Sequence, residues 1–412
     1  MNGLTQFIDG GAGPMPVAAD RPLPVTSYPA QGCVSTDTGG RQRVSQLTTL
    51  FDGKTLETDE PLLWDTVGTG AWTFQDNKVQ MSVAAGQYVL RQGKIFAPYF
   101  SGKPQFIEPT FDTFAPQPGV VKRVGYGSRS IVAPYTANFD GWYLESSDTI
   151  YLVVCNFGTE VLRSPISEWV GRSQLGDYNW DNFTVSLVDF LWLGGAALRL
   201  FIKNPDGGFT TADVFDYAGT AKDVFMRNPQ QPVFYEIRST DGSGAFRAIC
   251  AQVASEGSFS ERAKTLSVFT TASVSAAAVG TAYVIDAVRK VAAFRNTAFR
   301  VIDVSISSTT VNARGGMLLV VVNPTINGAA LTWTNNGRLQ EATAAGQTIT
   351  LGTGRVIAAK AIDVAGDGTG IAESVTAELP VNIDGTCPPI VLAYIPATSN
   401  QTVLGTMTLE EY

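Results

Sequence analysis

The chain reads as an all-β protein of two β-sandwich domains, the first of jelly-roll type, preceded by an extended N-terminal arm. Three observations predict this. Aromatic and β-branched residues recur in short runs that end at Gly, Pro or Asn-Asp, the pattern of half-buried strands. Charged residues are only 16% of the chain while Gly numbers 41 and Pro 21, which suits many strands and tight turns better than long solvated helices. The 412 residues also exceed the roughly 250 to 300 at which a single hydrophobic core stops growing, so at least two cores are expected.

Taken in order, residues 1–40 hold Gly10-Gly11, Gly13-Pro14, Pro16, Pro22, Pro24, Pro29 and Gly39-Gly40, a spacing too broken for helix or ladder. An extended arm is expected, free or laid across a neighbouring subunit. Residues 41–257 form the aromatic-rich first domain. It opens with Arg43 to Asp52, Pro61 to Asp65 and Tyr88 to Gln92, and continues through Lys122 to Tyr126, Gly141 to Glu145, Tyr151 to Phe157 and Phe183 to Leu193. Leu198 to Ile202 and the turn Asn204-Pro205-Asp206-Gly207-Gly208 predict a hairpin, since Pro-Asp-Gly supplies the required turn geometry. Many short strands around a longer pair describe a jelly-roll or lectin-like sandwich.

Residues 258–281 are rich in Ser, Thr and Ala with little bulky apolar content, and read as a linker or connecting strand. Residues 282–412 form the second sandwich, with strands expected at Ala282 to Val288, Phe299 to Ser307, Met317 to Val322, Thr348 to Leu351, Arg355 to Asp363 and Ile390 to Ile395. Its turn signals are Arg314-Gly315-Gly316, Asn335-Asn336-Gly337, Gly366-Asp367-Gly368 and Asp384-Gly385, and no internal repeat is present.

Composition narrows the chemistry. A net charge of -8 and a pI near 4.8 argue against a grip on nucleic-acid phosphates, which needs clustered Lys and Arg. The absence of histidine removes the commonest general base, the usual zinc ligand and the Ser-His and Cys-His pairs. Cys33, Cys155, Cys250 and Cys387 lie 95 or more residues apart without C-x-x-C spacing, so free thiols and no metal site are expected. The start Met1-Asn2-Gly3-Leu4-Thr5 has no basic region or apolar run of a signal peptide, and no stretch approaches the roughly 18 apolar residues of a membrane span. No cofactor, nucleic acid or membrane partner is expected.

A histidine-free hydrolase would rely on paired carboxylates, for which Glu108 with Asp112 and Asp140 with Glu145 are the candidates. The simpler reading makes Asp140 a turn residue and Glu145 a solvent-facing strand end, and no catalytic residue is expected. Asp363 to Gly368 is oxygen-rich but lacks EF-hand spacing, and a plain turn is the simpler reading. Gly352-Thr353-Gly354-Arg355 lacks the Gly-Lys-Ser/Thr ending of a phosphate loop. The two rings of Asp177-Tyr178-Asn179-Trp180-Asp181-Asn182 sit among polar residues, which makes Tyr178 and Trp180 the candidate surface contact for a glycan or a subunit; the plainer reading is a loop pinned by buried rings.

Six motifs stand in a fixed order: Arg43 to Gln46, Lys122 to Tyr126, Gly141 to Glu145, Asp189 to Gly194, Tyr235 to Ile237, and Cys250 with Ser255 to Gly257. Together with Val304 to Ser308 and Val322-Asn323-Pro324-Thr325, this order resembles a family of virion structural proteins of tailed and crAss-like bacteriophages, from about residue 31 to the end. The resemblance implies a virion component made in the host cytoplasm: an oligomeric head or tail appendage, fibre or capsid decoration protein. Its implied partners are copies of itself and the capsid, neck or tail proteins. The alternative is a glycan-binding receptor-recognition module of the virion, with a host surface glycan as partner. Gly127 to Phe139 departs from the pattern as an insertion, read as a surface loop. Catalytic residues are not implied.

Overall fold

A computed structural model describes residues 46–257, 263–308, 315–362 and 371–412. The arm of residues 1–40, Cys33, the opening Arg43 to Ser45 and the acidic loop 363–368 lie outside the described residues. The protein is all-β, and its strands assemble into two sandwiches.

The first sandwich is built from β1 (Leu47–Asp52), β2 (Trp64–Gly68), β3 (Ala71–Gln75), β4 (Lys78–Val83), β5 (Tyr88–Gly93), β6 (Gln105–Asp112), β7 (Val120–Ser128) and β8 (Asp140–Ser146). It continues with β9 (Ile150–Asn156), β10 (Thr159–Pro165), β11 (Thr184–Leu191), β12 (Ala197–Lys203), β13 (Phe209–Asp216), β14 (Val233–Ser239) and β15 (Gly244–Glu256). One sheet has the order β13-β12-β11-β6-β15-β4-β3 with β1 on β15, and the other β10-β9-β8-β7-β14-β5-β2; every pairing is antiparallel. The chain crosses repeatedly between the two layers, so each layer holds strands distant in sequence.

Alternation decides which side chains meet between the layers. Val124 and Tyr126 of β7, Trp142 and Leu144 of β8, Tyr235 and Ile237 of β14, Val188 and Phe190 of β11, and Phe111 and Phe246 form one buried core. The Asn204 to Gly208 turn closes the β12–β13 hairpin as its chemistry predicts, with Gly207 at φ 96° and the Asn204 amide donating to the Gly208 carbonyl.

The motif strands show why their residues are of these types. In β7, Lys122 donates from Nζ to the Thr113 and Ala115 carbonyls at 2.8 and 3.0 Å, tying down the loop after β6. Gly125 packs so close to β8 that a Cβ would lie 2.2 Å from the Trp142 carbonyl oxygen. The Tyr126 hydroxyl donates to the Pro229 carbonyl and accepts from the Gln231 amide.

The second sandwich comprises β16 (Lys264–Phe269), β17 (Val274–Ala276), β18 (Tyr283–Lys290), β19 (Phe299–Ser308), β20 (Gly316–Val322), β21 (Ile326–Asn327) and β22 (Thr334–Asn336). Then come β23 (Leu339–Thr343), β24 (Thr348–Ile349), β25 (Arg355–Ile362), β26 (Ile371–Glu378), β27 (Ile390–Pro396) and β28 (Gln401–Glu411). One sheet runs β16-β28-β19-β26 with β17 on β28; the other runs β21-β24-β18-β27-β20-β25 with β22 and β23 alongside β18. The segment 258–281, read as a linker or connecting strand, is from Lys264 onward largely strand that pairs with β28. Its Ser- and Thr-rich sequence supplies the edge strands β16 and β17, whose exposed positions need no apolar residues.

The sandwiches are joined by more than the chain. The Val381 amide donates to the Lys94 carbonyl and the Ile383 amide to Asp65 Oδ2, at 2.8 and 2.7 Å. Gln230 donates to the Tyr412 carbonyl and accepts from the Ala298 amide, while the Phe100 and Tyr412 rings meet at 5.6 Å. Phe96, Val381 and Cys387 form a small apolar cluster across this junction.

Candidate functional site

The carboxylate pairs weighed above do not converge. Asp140 and Glu145 differ by five positions along β8 and therefore point to opposite faces. Glu108 and Asp112 share a face of β6 but stand about 13 Å apart at ~3.3 Å per residue, beyond the spacing of glycosidase carboxyl pairs. Asp112 is occupied besides, by Lys78 at 2.7 Å and Arg247 at 3.5 Å, beside a groove of about 110 Å³ at the β3–β4 turn. Glu145 is buried, correcting its reading as a solvent-facing strand end: Arg123 Nε lies 2.7 Å away and Arg163 also pairs with it.

Tyr178 and Trp180 sit at the end of the first sandwich remote from the second. Trp180 is only 7% exposed and packs among Tyr178, Trp169 and Phe114, at ring distances of 4.9, 6.2 and 6.2 Å. Its backbone carbonyl accepts from the Phe114 amide, and Asp181 Oδ1 from the Ala115 amide. The polar neighbours of the two rings thus hold a turn together, Trp180 is a core residue rather than a platform, and Tyr178 is left half-buried.

Exposed rings and aliphatic side chains gather instead at the other end, beside the second sandwich. Four loops meet there: 138–140, 156–158, 192–196 and 218–232. The Asp140 carboxylate, buried at the start of β8, holds three of them. Its Oδ1 accepts from the Arg227 and Phe157 amides at 2.8 and 3.3 Å, and its Oδ2 from the Asn228 amide and Gln231 Nε2 at 2.9 and 3.3 Å. Burial pushes the Asp140 carboxyl above its ordinary range, opposed by the three backbone N–H donors and the Arg227 charge. The fourth loop is tied on by the Phe225 amide, which donates to the Gly194 carbonyl, and by Trp192 Nε1, which donates to the Met226 carbonyl.

The clamped loops turn apolar side chains outward. Phe157 at φ 47° and Leu193 at φ 38° occupy left-handed positions immediately before Gly158 and Gly194, and are 44% and 57% exposed; Val224 is 36% exposed. Asn156 Nδ2 donates to the Val224 carbonyl at 2.6 Å. The Arg227 guanidinium lies 3.9 Å above the Phe157 ring, and among the described residues no carboxylate stands within salt-bridge distance of it. Asn138, exposed at φ 56°, borders Gly158. A ring, two aliphatic groups, a guanidinium fork and side-chain amides thus share one rigid surface, which suits it to bind and gives it no nucleophile. Among the described residues no three Cys, Asp or Glu side chains come together as a metal would require, and no helix is long and apolar enough to cross a membrane.

The sequence motifs did not single out Phe157, Val224 or Arg227, and they took Leu193 only as part of the Asp189 to Gly194 strand; Val224 and Arg227 carry no local signal, whereas Phe157 and Leu193 do. The available signal was a large apolar residue directly preceding glycine at the close of a strand, which places it at a turn tip instead of in the core.

In class, then, this is an all-β chain of two sandwiches. No protein-family model matches it, and no curated protein sequence does. Among solved structures it is similar to the Emp47p carbohydrate recognition domain, with 11% identity, coverage of 52% of this chain and 98% of that one, and a TM-score of 0.35. A legume lectin-like domain from Entamoeba histolytica matches at 13% identity, over 48% of this chain and 95% of that one, with a TM-score of 0.32. A carbohydrate esterase from the Shiga toxin-encoding bacteriophage phi24B matches at 12% identity, over 52% and 100%, with a TM-score of 0.34.

Proposed function

We propose that this chain is a non-catalytic recognition module of a bacteriophage particle, and that the loop end bearing Phe157 and Arg227 holds a surface glycan. The observation that carries the binding role is the exposed Phe157 ring with Arg227 laid on it, fixed by the buried Asp140 clamp. Sugars present an apolar C–H face and a rim of hydroxyls, so a site for them needs an aromatic or aliphatic floor and nearby donors and acceptors; the ring, Leu193, Val224, Arg227 and Asn138 supply both. A pre-ordered surface also loses little entropy on binding. The particle assignment rests on the ordered motifs of the sequence, and it makes capsid, neck or tail proteins the remaining partners.

Glycan-array binding by the purified chain tests the reading. Selective binding is expected, weakened at least about tenfold by Phe157→Ala and by Arg227→Ala while unfolding temperature stays near that of the parent. Absence of binding across a broad array, or binding indifferent to both substitutions, would overturn it.

A further inference from the structure

We propose that the loop end at Phe157 selects acidic sugars, with the Arg227 guanidinium gripping the carboxylate of a uronic or sialic acid residue. This selectivity rests on the glycan-binding reading of the same surface and narrows the ligand to one chemical class.

Arg227 is singled out by the state of its donors. The other guanidiniums that the described residues lay over rings all commit N–H groups to side-chain oxygens, as Arg123 does to Glu145, Arg289 to Gln340 and Arg338 to Glu411. The Arg227 side chain is exposed, and among the described residues its guanidinium donates no hydrogen bond and enters no ion pair. The Asp140 carboxylate, which feels the Arg227 charge, has no acceptor site left for it. Its two oxygens already take the Arg227, Phe157 and Asn228 amides and Gln231 Nε2, and a carboxylate offers about four lone-pair sites. Lys222 and Asp223, on the same loop, are both exposed and of opposite sign.

The fork is nevertheless held in place. The guanidinium carbon stands 3.9 Å from the centre of the Phe157 ring, a stacking distance that occupies one face and leaves the in-plane N–H groups open. The amides of Phe157 and Arg227 both donate to Asp140 Oδ1, so one buried atom fixes the backbones that carry the ring and the fork. A planar fork with open donors matches a carboxylate through two parallel hydrogen bonds, a fit that a neutral hydroxyl does not offer. The carboxylate of an acidic sugar is bonded directly to the pyranose ring, so Arg227 can take the acid while the exposed Leu193 and Val224 side chains take the apolar C–H face. The chain's net charge of -8 repels polyanions in general, which leaves selection of an acid to this local fork.

The test uses uronic- and sialic-acid oligosaccharides, each beside its methyl ester, which keeps the sugar and removes the charge. The parent is expected to bind the acids at least about tenfold more tightly than the esters, as charge-assisted hydrogen bonds require. Arg227→Lys keeps the charge and loses the fork, and is expected to weaken acid binding at least about fivefold. Arg227→Gln is expected to bind acid and ester alike, with the unfolding temperature of both variants near that of the parent. Esters or neutral glycans bound as tightly as acids, in a manner still lost in Phe157→Ala, would overturn the acid selectivity and leave glycan recognition standing. Preference for sulfated over carboxylated glycans, or an Arg227→Lys variant that binds like the parent, would overturn the carboxylate grip. Absence of binding to every acid, ester and neutral glycan would overturn both readings.

Discussion

Asp286 is the clearest case of a residue whose environment conflicts with its chemistry. It lies buried in β18, its Oδ1 accepts from the Ala287 amide at 2.8 Å, and among the described residues its Oδ2 has no hydrogen-bond partner. Burial, aided by the nearby Glu341 charge, pushes its carboxyl up to about 8. The folded state therefore keeps this proton after the unfolded chain has lost it, and stability falls as pH rises from about 4 to about 8, by at most about 1.4 kcal/mol per pH unit. Asp286→Asn removes the titration. Denaturant unfolding at pH 5 and pH 8 is expected to show the stability of the parent declining between the two, and that of the variant changing less. Equal declines would mean that the carboxylate is solvated in the fold.

At the scale of elements, the outer face of the seven-stranded sheet shows how charged motif residues organise a loop. Arg123, Glu145 and Glu236 come from three of the six ordered motifs, on β7, β8 and β14, and they form one ionic network with Arg129, Arg163 and Arg238. Arg129 belongs to the insertion Gly127 to Phe139. Its guanidinium is buried against Glu236 and over the Phe139 and Phe234 rings, at 5.1 and 4.3 Å. Gly127 makes room for the Phe139 ring, since a Cβ there would lie 2.4 Å from it. The insertion is thus anchored at its base, while residues 131–138 are solvent-exposed apart from the half-buried Tyr135. Burial alone would raise the Glu236 carboxyl, but Arg129, Arg123 and Arg238 overcome it and hold the group at about 2. The depressed value means a stabilisation present above the unfolded value near 4 and lost as pH falls toward 2. Glu236→Gln leaves buried guanidinium charge uncompensated and is expected to cost about 3 to 5 kcal/mol at pH 7, measured by denaturant unfolding, with less difference at pH 2.

The same elements show what was legible in the sequence. β7, β8, β12, β13 and β14 could be read because aromatic and β-branched residues alternate between Gly or Pro signals. β28 could not, although it is the central strand of its sheet. Its buried positions include Gln401 and Gly405, and Leu404 falls between them, so the alternation is masked. Gly405 is required by contact, since a Cβ would meet Ile285 and Leu392 at 2.7 and 2.8 Å, and such cross-sheet crowding leaves no local trace. The candidate site was illegible for a related reason: exposure of Phe157 follows from a left-handed turn residue and a carboxylate clamp formed by distant loops.

For the whole molecule, the junction between the sandwiches decides whether they unfold as one body, and Lys290 is its test residue. The side chain is buried at the end of β18, Nζ donates to the Arg295 carbonyl at 3.2 Å, and the ammonium stands 5.4 Å from the ring of Phe96 of the first sandwich. Burial pushes its pKa down to about 7, against the pull of the nearby Cys387 and Glu378 groups. The folded state gives up this proton before the unfolded chain does, so the junction gains stability as pH rises from about 7 to about 10 and carries the full cost of the buried charge below pH 7. Lys290→Met keeps the stem over Phe96 and discards the charge. Its unfolding temperature is expected to exceed that of the parent at pH 6, with the gap narrowing toward pH 10. If the two sandwiches part readily, the parent melts in two steps and the variant raises only the step in which the second sandwich unfolds. If they form one cooperative body, a single transition moves as a whole. A gap that is the same at pH 6 and pH 10 would show that the lysine is solvated and the junction open.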